Sequence, residues 1–112
     1  MIDLAKDAPM ARYQSYIHEL EAMHGWLDLD LIHNCFLMGE EVGELFRAVR
    51  EASKFYDQAE KAATSDEERR AAVAEEIVDV LNYLLALANR LDIDVEEAFR
   101  AKNARNQQRR WV

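Results

Sequence analysis

One proline and three glycines in 112 residues leave this chain almost without punctuation, and that scarcity limits its fold more than any other feature. Sandwiches and barrels need frequent tight turns, and so many turns cannot be built from so few turn residues. Long helices are the natural alternative. Half of the residues are apolar and 32% are charged, which suits one compact domain with a small core and leaves no room for a second.

Apolar spacing divides the chain into four helices, with no strand candidate. The first is expected from about Pro9 to Met23, because Tyr13, Tyr16, Ile17, Leu20 and Met23 recur at helical intervals and Gly25 follows. A second, long helix starts at Asp28 or Asp30, either of which can cap free amides, and its stripe runs through Ile32, Phe36, Met38, Val42, Leu45, Phe46, Val49 and Ala52 towards Phe55. The polar stretch Tyr56 to Thr64 suits helix or loop. Ser65 with Glu68 has capping-box spacing and opens a third helix, whose core stripe is Val73, Ile77, Val80, Leu81, Leu84, Leu85 and Ala88. Asp94 with Glu97 repeats that signature, and Ile93 before it can act as a hydrophobic staple. A fourth helix is therefore expected from Val95 to about Arg110. Short connections favour an all-α, four-helix bundle-like fold, and stripes this broad on so small a chain predict completion by homo-oligomerisation.

Several classes drop out. The longest uncharged runs, such as Val80 to Asn89, are far short of a membrane span, and the acidic start Met1-Ile2-Asp3 does not resemble a signal peptide. A cytoplasmic location and no membrane partner are expected. Cys35, the single cysteine, has no disulfide or zinc partner and reads as a small buried hydrophobe. The net charge of -8 is uneven: residues 1–99 carry -13, and residues 100–112 carry +5. An acidic body repels phosphates, so duplex nucleic acid is not an expected partner. The basic tail serves either to complement a helix dipole or to grip a small anion.

Two stretches 35 positions apart are nearly alike: Glu40-Glu41-Val42-Gly43-Glu44 on the second helix and Glu75-Glu76-Ile77-Val78-Asp79 on the third. At about 100° per residue, Glu41 and Glu44 share a helix face, as do Glu76 and Asp79, and each pair borders an apolar stripe. Packing those stripes together brings four carboxylates to one seam, where like charges repel in a partly dry interface. A cation resolves that conflict. Any one of these acids alone is best explained as a solvated surface charge. The same spacing at the same offset on two helices is not. Oxygen-only ligands point to Mg²⁺, with Mn²⁺ as a substitute, since zinc recruits His or Cys and di-iron bundles use Glu-x-x-His, which neither motif supplies. Such a site leaves coordination positions for water and substrate phosphates. On the fourth helix Lys102, Asn106 and Arg109 share one face, and with Arg105 they can bind phosphate oxygens.

Glu40-Glu41-x-x-Glu44, Glu76-x-x-Asp79, Tyr83, Asp94-Val95-Glu96-Glu97-Ala98-Phe99 and Lys102-x-x-Arg105-Asn106-x-x-Arg109 together resemble the all-α nucleoside triphosphate pyrophosphohydrolases of the MazG superfamily, over roughly Trp26 to Trp111. The resemblance implies a MazG fold over residues 1–112 as one domain. It also implies hydrolysis between the α and β phosphates of a (deoxy)nucleoside triphosphate, yielding monophosphate and pyrophosphate, in clearance of non-standard or surplus nucleotides. It implies Mg²⁺ on Glu41, Glu44, Glu76 and Asp79, with Glu40 beside Glu41 positioning the attacking water or holding a further ion. Two departures stand out: a long stretch between the acidic motifs, Leu45 to Glu75, and Arg110 inserted before Trp111.

Candidates for the nucleoside follow. Trp26 can stack on a base, a contact worth roughly 1–3 kcal/mol, or anchor a core or subunit contact. His33, nearly in line with Glu41, can reach base or ribose, although a lone histidine there is more often structural. Tyr83 can donate its hydroxyl to a phosphate or to a ligating carboxylate, or simply bury its ring. His18 and His24 carry no assignment. Gly43 suggests close approach of another helix, or plain tolerance of a glycine. The alternatives are a non-catalytic helical adaptor, a di-iron carboxylate bundle and a phosphoribosyl-ATP pyrophosphohydrolase-like enzyme. A homodimer or homotetramer is the expected assembly.

Overall fold

The structure is a computed structural model, and it describes residues 1–53 and 65–109. Among them all regular structure is helical, in four helices: α1 (Met10–His24), α2 (Leu31–Ala52), α3 (Asp66–Arg90) and α4 (Val95–Gln108). The expected all-α class is the observed one. None of these helices is long and apolar enough to cross a membrane. The continuation of α2 to Phe55, the stretch Tyr56 to Thr64, Arg110 and Trp111 lie outside the described residues.

Local chemistry sets the helix ends. Pro9 caps α1 with extended ψ, one position ahead of the expected helical turn. Of the two candidate caps for α2, Asp30 is the one used, accepting from the His33 amide at 2.7 Å. The Ser65 hydroxyl accepts from the Glu68 amide at 3.0 Å, and Asp94 accepts from the Glu97 amide at 3.0 Å. Helices α1 and α3 end in the same way. In α1, the Gly25 and Trp26 amides return to the Ala22 and Glu21 carbonyls; in α3, the Asp92 and Ile93 amides return to those of Asn89 and Ala88. Both are Schellman endings, with Gly25 at φ 73° and Asp92 at φ 53° in the left-handed position. Asp92 is a rare non-glycine there, which is why the sequence does not announce that stop.

The chain folds as two compact units, Met1–Leu29 with Leu85–Val112, and Asp30–Leu84. The first is centred on Ile17, Leu85 and Ala86, with Met10, Tyr13, Tyr16, Leu20 and Val95 packed against them. The buried face of α1 is partly polar: Gln14 and Glu21 are buried there with Ile17, whereas Met23, expected in the stripe, is exposed. Gln14 is buried because its amide is fully used. Its nitrogen donates to Asn89 Oδ1 at 3.2 Å and to the Ile93 carbonyl at 2.8 Å, and its oxygen accepts from the Val95 amide at 3.0 Å.

In the second unit the expected mutual burial of the α2 and α3 stripes is not observed. Phe36 is 73% exposed and Phe46 70%, and Ile32, Val49, Ile77, Leu81 and Leu84 are exposed as well. Only Asn34 and Ala48 are buried on α2, and Cys35, expected to be buried, is half-buried. Among the described residues a Cβ at Gly43 would meet nothing within 4 Å, so no close approach between them explains that glycine.

Candidate metal centre

Helix α2 carries Glu40, Glu41 and Glu44, and α3 carries Glu75, Glu76 and Asp79, all in the second unit. One carboxylate oxygen from each of Glu41, Glu76 and Asp79 lies within 4.8 Å of the other two. The repeated acid spacing on two helices therefore has a spatial counterpart. A pair of like charges about 4 Å apart repels by about 4 kcal/mol at an effective dielectric of about 20, against about 1 kcal/mol in water. Crowding of this kind favours the protonated carboxyl. Glu41 is pushed above the usual carboxylate range, first by burial and then by the charges of Asp79, Glu76 and Glu44.

These residues fit a hard divalent cation. Among the described residues the buried Glu76 Oε2 has no hydrogen-bond partner, an arrangement that a cation satisfies and that water-exposed acids do not show. The donor set is oxygen only, with no His or Cys in the cluster among the described residues. Such a set suits Mg²⁺ or Mn²⁺ and lacks the imidazoles of a di-iron bundle.

The other predicted site residues divide between the two units. Glu44 stands one turn beyond Glu41 but outside the three-acid cluster, with its carboxylate 3.5 Å from Arg47 in an exposed pair of little energetic weight. Glu40 is exposed, His33 is an exposed residue of the first turn of α2, and Tyr83 is half-buried and partnered. Lys102, Arg105 and Arg109 are exposed on or at the end of α4 in the first unit, where Asn106 is half-buried and donates to Asn103 Oδ1 at 3.1 Å. Trp26, also in the first unit, is 49% exposed. Its ring stacks on that of His24 with centroids 4.6 Å apart and planes at 23°.

Two features escape a reading of the sequence. His24, without an assignment there, turns out to back the Trp26 ring. Asn34 is 1% exposed and its Oδ1 has no hydrogen-bond partner among the described residues. The available signal for Asn34 was its position, seven residues before Glu41 and so on nearly the same face of α2.

Residues 34–111, which include all the acids of the cluster, match the family model of the MazG nucleotide pyrophosphohydrolase domain. A protein of Bacillus subtilis (strain 168), named "Uncharacterized protein YpjD", is 48% identical over 59 residues, a stretch covering 53% of this chain and 48% of that protein. The chain thus matches about half the length of that relative.

Proposed function

The chain belongs to the MazG nucleotide pyrophosphohydrolase family, and from that membership we propose that it hydrolyses a (deoxy)nucleoside triphosphate between the α and β phosphates. The products are a nucleoside monophosphate and pyrophosphate, and the cellular role is clearance of non-standard or surplus nucleotides in the cytoplasm. The observation that supports this most directly is the meeting of Glu41, Glu76 and Asp79, with an unpartnered oxygen on Glu76, inside the matched segment.

Glu41, Glu76 and Asp79, joined by Glu44 from the next turn, would hold Mg²⁺, for which Mn²⁺ can substitute. The ion supplies charge neutralisation for the polyphosphate and polarisation of the attacking water. Glu40, adjacent to Glu41, orients that water towards the α phosphorus. The bond from the α phosphorus to the bridging oxygen breaks as the new bond to the water oxygen forms, so pyrophosphate departs with the bridging oxygen and the proton lost by the water passes to solvent. Lys102, Arg105, Asn106 and Arg109 offer donors to phosphate oxygens, and Trp26, His33 and Tyr83 serve the nucleoside. The 112 residues act as one catalytic domain.

We also propose a homodimer or homotetramer, supported by the exposed apolar side chains of α2 and α3, which a second copy would cover. The deciding experiment is a panel of standard and modified triphosphates, with phosphoribosyl-ATP included, incubated with Mg²⁺ while pyrophosphate and orthophosphate are measured separately. Pyrophosphate release is expected. Orthophosphate alone moves the cut to the terminal phosphate, and no release from any substrate leaves the helical-adaptor reading in its place.

A further inference from the structure

One side chain from α3 grips the connection between α1 and α2 at two of its carbonyls. Arg90, the last residue of α3, uses all five of its N–H donors. Nε donates to the Leu29 carbonyl at 2.9 Å. Nη1 donates to Glu21 Oε1 at 3.1 Å and to the Ala86 carbonyl at 3.1 Å. Nη2 donates to Glu21 Oε2 at 2.8 Å and to the Trp26 carbonyl at 3.1 Å. Glu21 alone would tie α1 to α3. The carbonyls of Trp26 and Leu29 are not needed for that purpose, since carbonyls in a short surface connection can bond water. Their capture by a largely buried guanidinium fixes the loop itself.

Trp26 is the residue most affected. Its amide donates to the Glu21 carbonyl at 2.8 Å, and its own carbonyl accepts from the Leu29 amide at 3.2 Å as well as from Arg90. Both backbone polar groups of Trp26 are therefore held, yet half of its surface faces solvent and its ring is already stacked on His24. An aromatic ring that is exposed on a fixed backbone loses little freedom when a flat ligand settles on it.

We propose that Arg90 is a positioning residue for the nucleoside: by holding the carbonyls of Trp26 and Leu29 it keeps the His24–Trp26 ring pair set as a platform for a nucleobase. This rests on the reading of Trp26 as a base-stacking residue given above. Arg90 touches no substrate and acts through the loop.

The test is a double-mutant cycle on KM and kcat with the preferred triphosphate, using R90K, W26A and the double variant, each first shown to be helical by circular dichroism. Lysine keeps the charge opposite Glu21 but has one nitrogen and no planar fork, so it cannot hold two carbonyls and a bidentate carboxylate together. R90K is expected to raise KM about tenfold with kcat within about twofold. In the W26A background R90K should then add almost nothing, because no ring remains to be positioned. Multiplying KM effects in the double variant, or a fall in kcat at unchanged KM, overturn the proposal and reduce Arg90 to a support of the fold. E21Q, which weakens the same grip while keeping the side-chain shape, gives the same cycle if R90K does not fold. An active wild type with multiplying effects defeats this proposal alone; a wild type that releases no pyrophosphate from any triphosphate defeats the functional reading and this proposal with it.

Discussion

A carboxylate oxygen of Glu41 on α2 lies within 4.8 Å of one of Glu76 on α3, so that two acids meet between helices. Burial and the neighbouring charges of Asp79, Glu76 and Glu44 raise Glu41 above the usual carboxylate range, so the surroundings favour its protonated form.

That shift sets a pH dependence for the ion-free protein. An acid whose value rises on folding binds more protons folded than unfolded at any pH between the two values, so stability falls as pH rises through that window. The loss begins near the ordinary value of 4.5 and is complete above the raised value of Glu41. Thermal melts in EDTA from mildly acidic to neutral pH should show a falling Tm. Added Mg²⁺ should remove most of the slope, because a cation stabilises the ionised cluster.

Replacing one acid of the cluster should separate stability from activity. E76Q takes a charge from the crowd and leaves a side chain of the same shape, so the ion-free protein should melt at a higher temperature. Divalent-ion affinity should drop, and pyrophosphate release should fall at least about a hundredfold. Calorimetric titration with Mg²⁺ or Mn²⁺ and a pyrophosphate assay measure the two effects. Unchanged binding and turnover in E76Q would remove the metal from this seam.

The two left-handed helix stops make opposite predictions. Gly25 has φ 73°, so G25A should cost about 1 kcal/mol through backbone strain, although a Cβ there meets no neighbour. Asp92 occupies the matching position of α3 at φ 53°, and D92G should relieve strain and recover up to about 1 kcal/mol. Urea unfolding of both variants measures the difference.

Cutting the Arg90–Glu21 pair on one side should be costly. Both side chains are largely buried, and their bidentate contact runs at 3.1 and 2.8 Å. E21A leaves the guanidinium charge inside without its counterion, and a loss of about 3 kcal/mol is expected. Chemical denaturation of E21A beside wild type checks this.

The apolar surface of α2 predicts assembly. Light scattering coupled to size exclusion should give at least a dimer for wild type. F46E, a charge at a side chain 70% exposed in the single chain, should shift the mass towards the monomer without unfolding it. A wild type that runs as a monomer overturns the oligomer.

The sequence made local features legible and long-range ones opaque. Ser65 with Glu68 and Asp94 with Glu97 reveal their helix starts because the capping bond spans three residues. The acid cluster was readable because the same helical spacing of acids recurs on α2 and α3, and Glu41, Glu76 and Asp79 meet even though the apolar stripes beside them stay largely exposed. Glu44, with the same spacing, leaves the cluster for Arg47, a choice that no periodicity encodes. Arg90 meets Glu21 across 69 positions and Gln14 meets Val95 across 81, and neither pairing has a local signal. Both put a polar residue on a buried helix face, where a hydrophobicity pattern anticipates an aliphatic one.

Gln14 carries one more consequence. The segment that matches the family begins at residue 34 and so omits α1 altogether. Yet α1 contributes the one carboxamide that serves Asn89, Ile93 and Val95 at once, and the carboxylate that answers Arg90. A fragment trimmed to the shared portion would lose these bonds to the Val95 amide, the Ile93 carbonyl and the Arg90 guanidinium at the junction of its last two helices. The ancestry is thus written in one stretch, while another supplies partners to the polar groups where α3 gives way to α4.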